Sequence, residues 1–359
     1  MITIAGTSFA SLLTQLSLSK FTNLSVRVVE ASKTTLKKPN IEIGIWTTGL
    51  EAIRNLHGAA FEEIVKSGVW CGGVEYRGVN GGRLIGTQLQ HGGGGDDKGG
   101  DGKGGDDKGR DDKGGDDKGG DDKVGLLFVD QSKMLDILRG AVGRDDGDVE
   151  YGFDVGGLVK DVERGEIVLD CSGADSPLPV PNVSGGCTWF STTPDLSVWS
   201  TGEPRSILSA STVLEVADAR AFKWRGSMGN LGIPNYAGLG DAARAVNPIL
   251  SQGVTLAAED AYVLGRCLRG VGGGGGGEGG RVRREVIEGV AEFERERQRR
   301  MFRLNVAGKL VDLVGGLGEG ASRGRDWAMG MWGEGRGKRR VFEEIMNFSL
   351  GPRVRYGEG

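Results

Sequence analysis

The 359-residue chain has only two histidines, His57 and His91. A histidine-rich metal centre is thereby excluded, and a Ser-His-Asp hydrolase loses its support, because both need imidazole as ligand or general base. The four cysteines, Cys71, Cys171, Cys187 and Cys267, are scattered and form no Cys-x-x-Cys pair. Zinc and disulfide frameworks need paired spacing, so these read as reduced, packed thiols. No apolar run reaches the length needed to cross a bilayer, and Met1 leads into a short strand pattern rather than a charged and then apolar leader. The expectation is a soluble chain, cytoplasmic by default. Basic charge is not in surplus either: 45 Lys and Arg stand against 49 Asp and Glu, for a net charge of −4. That balance gives no footprint for nucleic acid.

Glycine, by contrast, is abundant, with 67 residues. Much of the excess sits in two tracts, a GGDDK-like repeat over Gly92–Lys123 and a nearly pure glycine run over Gly272–Gly280. Such segments bury little apolar surface and lose much entropy on ordering, so disorder is expected of both. The first tract holds 11 Asp against 7 Lys and Arg and so carries the whole net charge, leaving 38 acidic and 38 basic residues elsewhere. Its Asp pairs lack the alternating ligands and terminal Glu of a calcium loop, and a solvated spacer is the better reading. The basic group Arg336, Lys338, Arg339 and Arg340 reads as a solvated face.

Two stretches carry chemistry. The first is a compact β-α-β pattern: an apolar run at Met1–Ala5, then Phe9, Leu12, Leu13 and Leu16 at helical spacing, then Val26–Val29 ending at Glu30. In a dinucleotide-binding unit such an acid accepts from ribose hydroxyls, and glycines in the first turn let a pyrophosphate approach the backbone. Here Gly6, Ser8 and Ser11 stand where G-x-G-x-x-G would. Taken alone, the unit fits a nucleotide site and plain β-α-β packing equally. The second stretch, Gly238–Leu268, reads as a strand end, an acidic turn and a helix start. Gly238 and Gly240 allow close backbone approach, Asp241 offers a carboxylate to hydroxyls, and Pro248 ends the turn. Gln252 and Gly253 open a helix whose first amides lack intrahelical partners and whose dipole favours negative charge. Val254, Ala257, Ala258, Ala261, Val263 and Leu264 form its apolar face, which leaves Glu259 and Asp260 to solvent or polar neighbours.

The second stretch closely resembles the Gly-Asp motif of the FAD-dependent aromatic-ring hydroxylase family, the single-component flavoprotein monooxygenases that include salicylate hydroxylases and zeaxanthin epoxidases. Gly240, Asp241, Ala242, Ala243, Pro248, Gln252, Gly253, Glu259, Asp260 and Ala261 match the family pattern in order. Arg244 replaces its usual histidine, and Ser251 a usual glycine. Further along the chain, Ile41–Gly58 is similar to the family's G-I-G-I-W segment and the helix after it. Lys37 and Lys38 stand near a family arginine that meets the cofactor. Gln131, within Leu126–Leu138, replaces an arginine that contacts the flavin region. Gly173, Ala174 and Asp175 resemble the G-A-D-G site, whose aspartate lies where FAD and the reducing nucleotide meet, but Ser176 and the prolines 177, 179 and 181 depart from it. Phe293, Glu294, Arg297 and Arg300 match the start of the family's closing helix, and an amphipathic helix with internal ion pairs explains them equally.

The resemblance implies an α/β fold: a glutathione-reductase-type FAD-binding domain, a reduced antiparallel β substrate layer and a C-terminal helix. The FAD-binding domain would comprise residues 1–91, 124–178 and 236–270, with the insert at 92–123, a shortened substrate sheet at 179–235, a glycine linker at 271–280 and a helical region at 281–359. Implied cofactor contacts are Gly6, Ser8, Ser11, Glu30, Lys38, Gln131, Asp175, Gly240, Asp241, Pro248, Gln252 and Gly253. The implied activity uses FAD, NAD(P)H and dioxygen to hydroxylate or epoxidise an aromatic or isoprenoid-like small molecule. A degenerate FAD-binding relative without hydroxylase activity is the alternative, and a flavin oxidase or reductase a remoter one. Asp175 and Asp241 are only 66 positions apart, which leaves room for a small substrate wall. Locally, a hairpin is expected around Asn80-Gly81-Gly82, strands over Val149–Asp170, and a long helix over Arg281–Leu313.

Overall fold

The structure, a computed structural model, describes residues 1–33, 42–71, 73–77, 83–88, 125–143, 148–172, 234–244, 251–273 and 279–315. Most of the expected substrate sheet, the GGDDK-like tract, residues 274–278 of the glycine run, Lys37, Lys38, Asp175 and Pro248 lie outside these residues, as do the Asn80-Gly81-Gly82 turn and the Arg336–Arg340 group.

A parallel sheet is built from β1 (Ile2–Ala5), β2 (Val26–Glu30), β8 (Val149–Tyr151), β9 (Ile167–Asp170) and β10 (Tyr236–Gly238), in the order β10-β9-β1-β2-β8. Every described pairing in it is parallel. Side-chain alternation divides its two faces. Ile2, Ile4, Val28, Ile167, Leu169 and Ala237 enter the main core, while Ala5, Val29, Val168 and Tyr236 pack with Leu158 on the other side. A second sheet, β3 (Glu42–Trp46), β7 (Leu126–Asp130) and β4 (Val69–Trp70), is antiparallel in the order β3-β7-β4. The expected hairpin forms as β5 (Gly73–Arg77) against β6 (Arg83–Gln88).

Between β8 and β9 the strand expectation for Val149–Asp170 holds only at its ends. The middle is a helix, α5 (Val155–Glu163). Two parallel strands of one sheet require a crossover, and Val155, Leu158 and Val162 recur at helical spacing along it, so tertiary demand overrides the poor helix propensity of Gly156 and Gly157. The remaining helices are α1 (Phe9–Phe21), α2 (Thr47–Leu56), α3 (Gly58–Ser67), α4 (Gln131–Val142), α6 (Asp241–Arg244), α7 (Gly253–Cys267) and α8 (Gly279–Gly315). The α3 segment was not singled out in the sequence; His57 caps it, Nδ1 accepting from the Ala60 amide at 3.1 Å. That use gives one of the two histidines a structural role.

Helix α1 is enclosed from Ala10 to Leu18 and runs beside α7. The approach is close: Ser17 Oγ donates to the Ala261 carbonyl at 2.5 Å, and a Cβ on Gly265 would lie 2.0 Å from that same oxygen. At the far end Phe21 and Tyr262 meet edge to face with centroids 5.9 Å apart. Ala10 faces Gly240 and Ala257 near the helix starts, and Ser17 meets Ala261 further on, so α1 and α7 run in the same direction. Both helix starts therefore lie at the carboxyl edge of the parallel sheet.

Among the described residues no helix is long and apolar enough to cross a membrane.

Candidate functional site

The strand registers place Glu30, Gly6, Cys171 and Leu239 in one row, each the residue next after a paired position in β2, β1, β9 and β10. The row spans three inter-strand steps, or about 14 Å at the usual strand spacing. Glu30 thus stands at one end of this edge and the Gly240-Asp241 turn at the other. An open parallel sheet offers ligands its carboxyl edge, because there the helix starts converge.

At the β1–α1 corner Gly6 turns at φ +99, and a Cβ there would lie 2.7 Å from the Cys171 carbonyl oxygen and from the Ser172 Cα. Only glycine fits. Ser8 occupies the N-cap of α1 but does not cap it; its hydroxyl donates instead to the Cys171 carbonyl at 2.7 Å. The first amides of α1 are therefore not consumed by that side chain. Thr7 donates to Glu30 Oε2 at 2.7 Å, and the Ser32 amide to Oε1 at 3.1 Å. These bonds aim a half-buried carboxylate and leave it lone pairs for further donors. Ser11 is enclosed by protein and accepts from Gln15; its part is that of a small residue under the turn.

At the β10–α7 corner Gly240 turns at φ +56, with its open side bounded by Ala10 and Ala257. Asp241 follows on the surface, and its Oδ1 comes within 3.6 Å of where a Cβ on Gly253 would be. The carboxylate and the start of α7 are thus brought together. Gly44 and Gly49 let β3 and α2 close on the same helix start, through Ser251 and Thr255, and Thr255 accepts from the Trp46 amide at 3.0 Å. Ser251, where the family pattern has glycine, sits at φ +48. Gln252 is fully buried, and neither atom of its amide has a hydrogen-bond partner. Gln131 opens α4 at the end of β7, in the antiparallel sheet, with Oε1 buried and unbonded.

Two groups here escaped the sequence reading. Asp170, buried at the end of central β9, accepts from the Ser172 amide at 3.0 Å, from the Ser172 hydroxyl at 2.6 Å and from the Tyr236 hydroxyl at 2.7 Å. A charged residue closing an apolar run, IVLD, is the signal that pointed to it. The other group is a cluster of four charges. Glu259 and Asp260, left to solvent or polar neighbours above, are 1% and 0% exposed and meet Arg297 and Arg300 from α8. Arg297 donates from Nε to Asp260 Oδ1 at 2.5 Å and from Nη1 to Glu259 Oε2 at 3.0 Å. Arg300 holds Glu259 through Nε at 3.1 Å and Nη2 at 3.0 Å. Burial alone would push the Glu259 carboxyl up, but the charges and hydrogen bonds of Arg300 and Arg297 outweigh it and hold the group below its usual range.

Burial raises the Cys171 thiol well above its ordinary value, and the neighbouring Asp170 charge adds to this. It remains protonated and serves packing, as the scattered cysteines suggested. Among the described residues no cluster of His, Cys, Asp and Glu has the makings of a metal site.

No protein-family model and no curated protein matches the chain. Solved structures do match. The chain is similar to Klebsiella pneumoniae HpxO, solved with FAD and uric acid, at 14% identity over 98% of this chain and 97% of that one, with a TM-score of 0.59. It is also similar to p-nitrophenol 4-monooxygenase PnpA from Pseudomonas putida DLL-E4, at 14% identity over 98% of each chain and a TM-score of 0.55. With P. aeruginosa PqsL, in complex with 2-aminobenzoylacetate, it shares 15% identity over 86% of this chain and 94% of that one, with a TM-score of 0.53. Likeness at such identities is likeness of fold, and this chain shares its fold with a structure that holds FAD and with a monooxygenase.

Proposed function

We propose that the chain is an FAD-dependent monooxygenase that uses NAD(P)H and dioxygen to oxygenate an aromatic or isoprenoid-like small molecule. The observation that carries this reading is the row along the carboxyl edge, with Glu30 at one end, Asp241 and the start of α7 at the other, and the start of α1 between them. An extended dinucleotide needs those three supports in that order. FAD, when bound, supplies the redox and oxygen chemistry, so no side-chain nucleophile or metal is required of the protein.

The residues divide the work of holding it. Glu30, already aimed by Thr7 and Ser32, accepts ribose hydroxyls. The Gly6 turn and the first amides of α1 receive pyrophosphate, to which a Cβ at Gly6 would deny the present backbone path. Asp241 accepts from hydroxyls of the linking chain, and the first turn of α7 favours negative charge on the ring system. Lys38, Asp175 and Pro248 keep their proposed places on the resemblance alone, and so do the domain limits and the substrate wall over 179–235.

A second reading, a relative that keeps the nucleotide and oxygenates nothing, is favoured by one observation. Gln131 stands where an arginine is usual, and its side-chain oxygen is buried without a partner. That position brings no positive charge to the flavin region.

Flavin content and turnover decide between them. The purified protein is expected to be yellow and to consume NAD(P)H faster with a phenolic or isoprenoid substrate, giving an oxygenated product. Asp241→Ala is expected to release FAD without unfolding the chain. Colourless protein that added FAD cannot reconstitute would end the first reading; bound FAD with no oxygenated product would leave the second.

A further inference from the structure

The buried charge cluster does more than join two helices. Asp260 uses its two oxygens in different directions: Oδ1 accepts from Arg297 Nε at 2.5 Å, and Oδ2 accepts from the backbone amide of Gly240 at 2.9 Å. Gly240 is the residue at φ +56 that delivers Asp241 to the start of α7. A glycine at such a turn has a wide choice of conformations, so its geometry has to be imposed from outside. The Gly240 amide donates to a carboxylate that is itself oriented by α8, a helix that begins at the end of the Gly272–Gly280 run.

We infer that Arg297 is a positioning residue for the Gly240-Asp241 turn, acting through Asp260. With the guanidinium fork in place, a carboxylate with no exposed surface is fixed in rotation, Oδ1 toward Arg297 and Oδ2 toward the Gly240 amide. A lysine at 297 would keep the charge but would bring a single ammonium in place of Nε and Nη1, so it could not hold Asp260 and Glu259 in their present directions at once. Arg300 provides the internal control. It binds Glu259 from the same helix and is buried in the same cluster, so its loss disturbs the packing of α8 while the Asp260–Gly240 contact keeps its own partner.

The inference rests on the cofactor reading for its functional consequence but not for its geometry, and the experiment separates the two. Amide hydrogen exchange at Gly240 is measured in the full-length chain without FAD, beside FAD titration and thermal melting, for the wild type, Arg297→Lys and Arg300→Lys. In Arg297→Lys, exchange at Gly240 is expected to accelerate about tenfold, and FAD affinity to fall about fivefold, as befits a lost charge-assisted bond felt indirectly. Arg300→Lys is expected to lower the melting temperature while leaving exchange at Gly240 and FAD affinity within about twofold. Unchanged Gly240 exchange in Arg297→Lys overturns the inference, and so does an Arg300→Lys variant that matches it in both readouts. Should Arg297→Lys not fold, Asp260→Asn takes its place, because one amide oxygen cannot accept both donors where they stand; the same signature is expected and the same silence at Gly240 overturns the idea. If Gly240 responds as described while the wild type takes up no FAD, the positioning role stands and the cofactor reading falls.

Discussion

At the β1–α1 corner the chain turns through Gly6 at φ +99 and is tied down by neutral bonds from close at hand: Ser8 to the Cys171 carbonyl on the adjoining strand, and the Gly6 amide to the Val29 carbonyl on the other side. At the β10–α7 corner the chain turns through Gly240 at φ +56 and is tied down by charge, through Asp260 to an arginine 57 positions further along the sequence. Both corners end in a helix start on the same sheet edge. The first is held chiefly by the backbone atoms that crowd Gly6, with the Ser8 hydroxyl adding one side-chain bond. The second is rigid only while a helix from elsewhere stays docked and Asp260 keeps its arginine partner. Two corners of one edge therefore differ in what can disturb them.

The strongest way to break the first corner is to fill it. A Cβ at Gly6 lies 2.7 Å from two backbone atoms, and the residue would also carry a positive φ. Gly6→Val is expected to cost on the order of 4–5 kcal/mol, because neither neighbour is a side chain that can swing away. Chemical denaturation measures it, and a variant that melts like the wild type would show that the corner is looser than drawn.

The second corner breaks through charge. Glu259→Gln leaves two buried guanidinium groups facing one carboxylate and is expected to cost about 3 kcal/mol. It also sets a pH test. The folded Glu259 carboxyl titrates below its usual range under Arg300 and Arg297, so its stabilisation is present above the unfolded value of about 4.3 and disappears as the pH falls through the lower folded value. Wild-type stability is expected to drop through this acid window, and Glu259→Gln to show a shallower slope there. Equal slopes would remove Glu259 from the account.

Much of this frame is legible in the sequence, for a physical reason. The β1-α1-β2 unit, the β3–α2 segment, α7 and α8 each carry an apolar period that matches their element, and local preference agrees with the fold. The crossover α5 is not legible in the sequence because Gly156 and Gly157 weaken its helical pattern, and its necessity comes from the parallel pairing of β8 and β9 with other strands of the sheet. The site divides in the same way. Gly6, Glu30, Gly240 and Asp241 announce themselves by type and spacing, whereas the aim of Glu30 by Thr7, the Asp170–Tyr236 bond and the Arg297–Asp260–Gly240 relay depend on contacts that no local pattern contains. Gln252 is a matched motif position whose side-chain burial no local pattern announces.

The two corners share one dependence, the contact between α1 and α7 that keeps their starts side by side. A Cβ on Gly265 would fall 2.0 Å from Ser17 Oγ and 2.5 Å from the Phe21 ring. Gly265→Ala is expected to cost about 2 kcal/mol despite the better helix propensity of alanine, since the helices must part. Ser17→Ala in the same chain is expected to recover part of that loss by removing the nearer atom. Thermal melting of the two single variants and the double variant gives the coupling, and strict additivity would show that the crowding is not between these two residues.

The smallest expected effect sharpens the comparison most. Both corners require positive φ, and at Gly6 and Gly240 the residue is suited to it, but Ser251, just before α7, holds φ +48 with a Cβ. That conformation costs a non-glycine residue about 1–2 kcal/mol. Glycine at 251 would relieve the strain but would add freedom to the unfolded chain worth about 0.4–1 kcal/mol. The difference favours the folded state, and Ser251→Gly is expected to raise stability by about 0.5–1 kcal/mol, readable as a small rise in melting temperature. A fall instead would mean that the serine hydroxyl contributes more at the start of α7 than its backbone strain costs, and the second corner would then owe part of its rigidity to a polar contact, as the first does through Ser8.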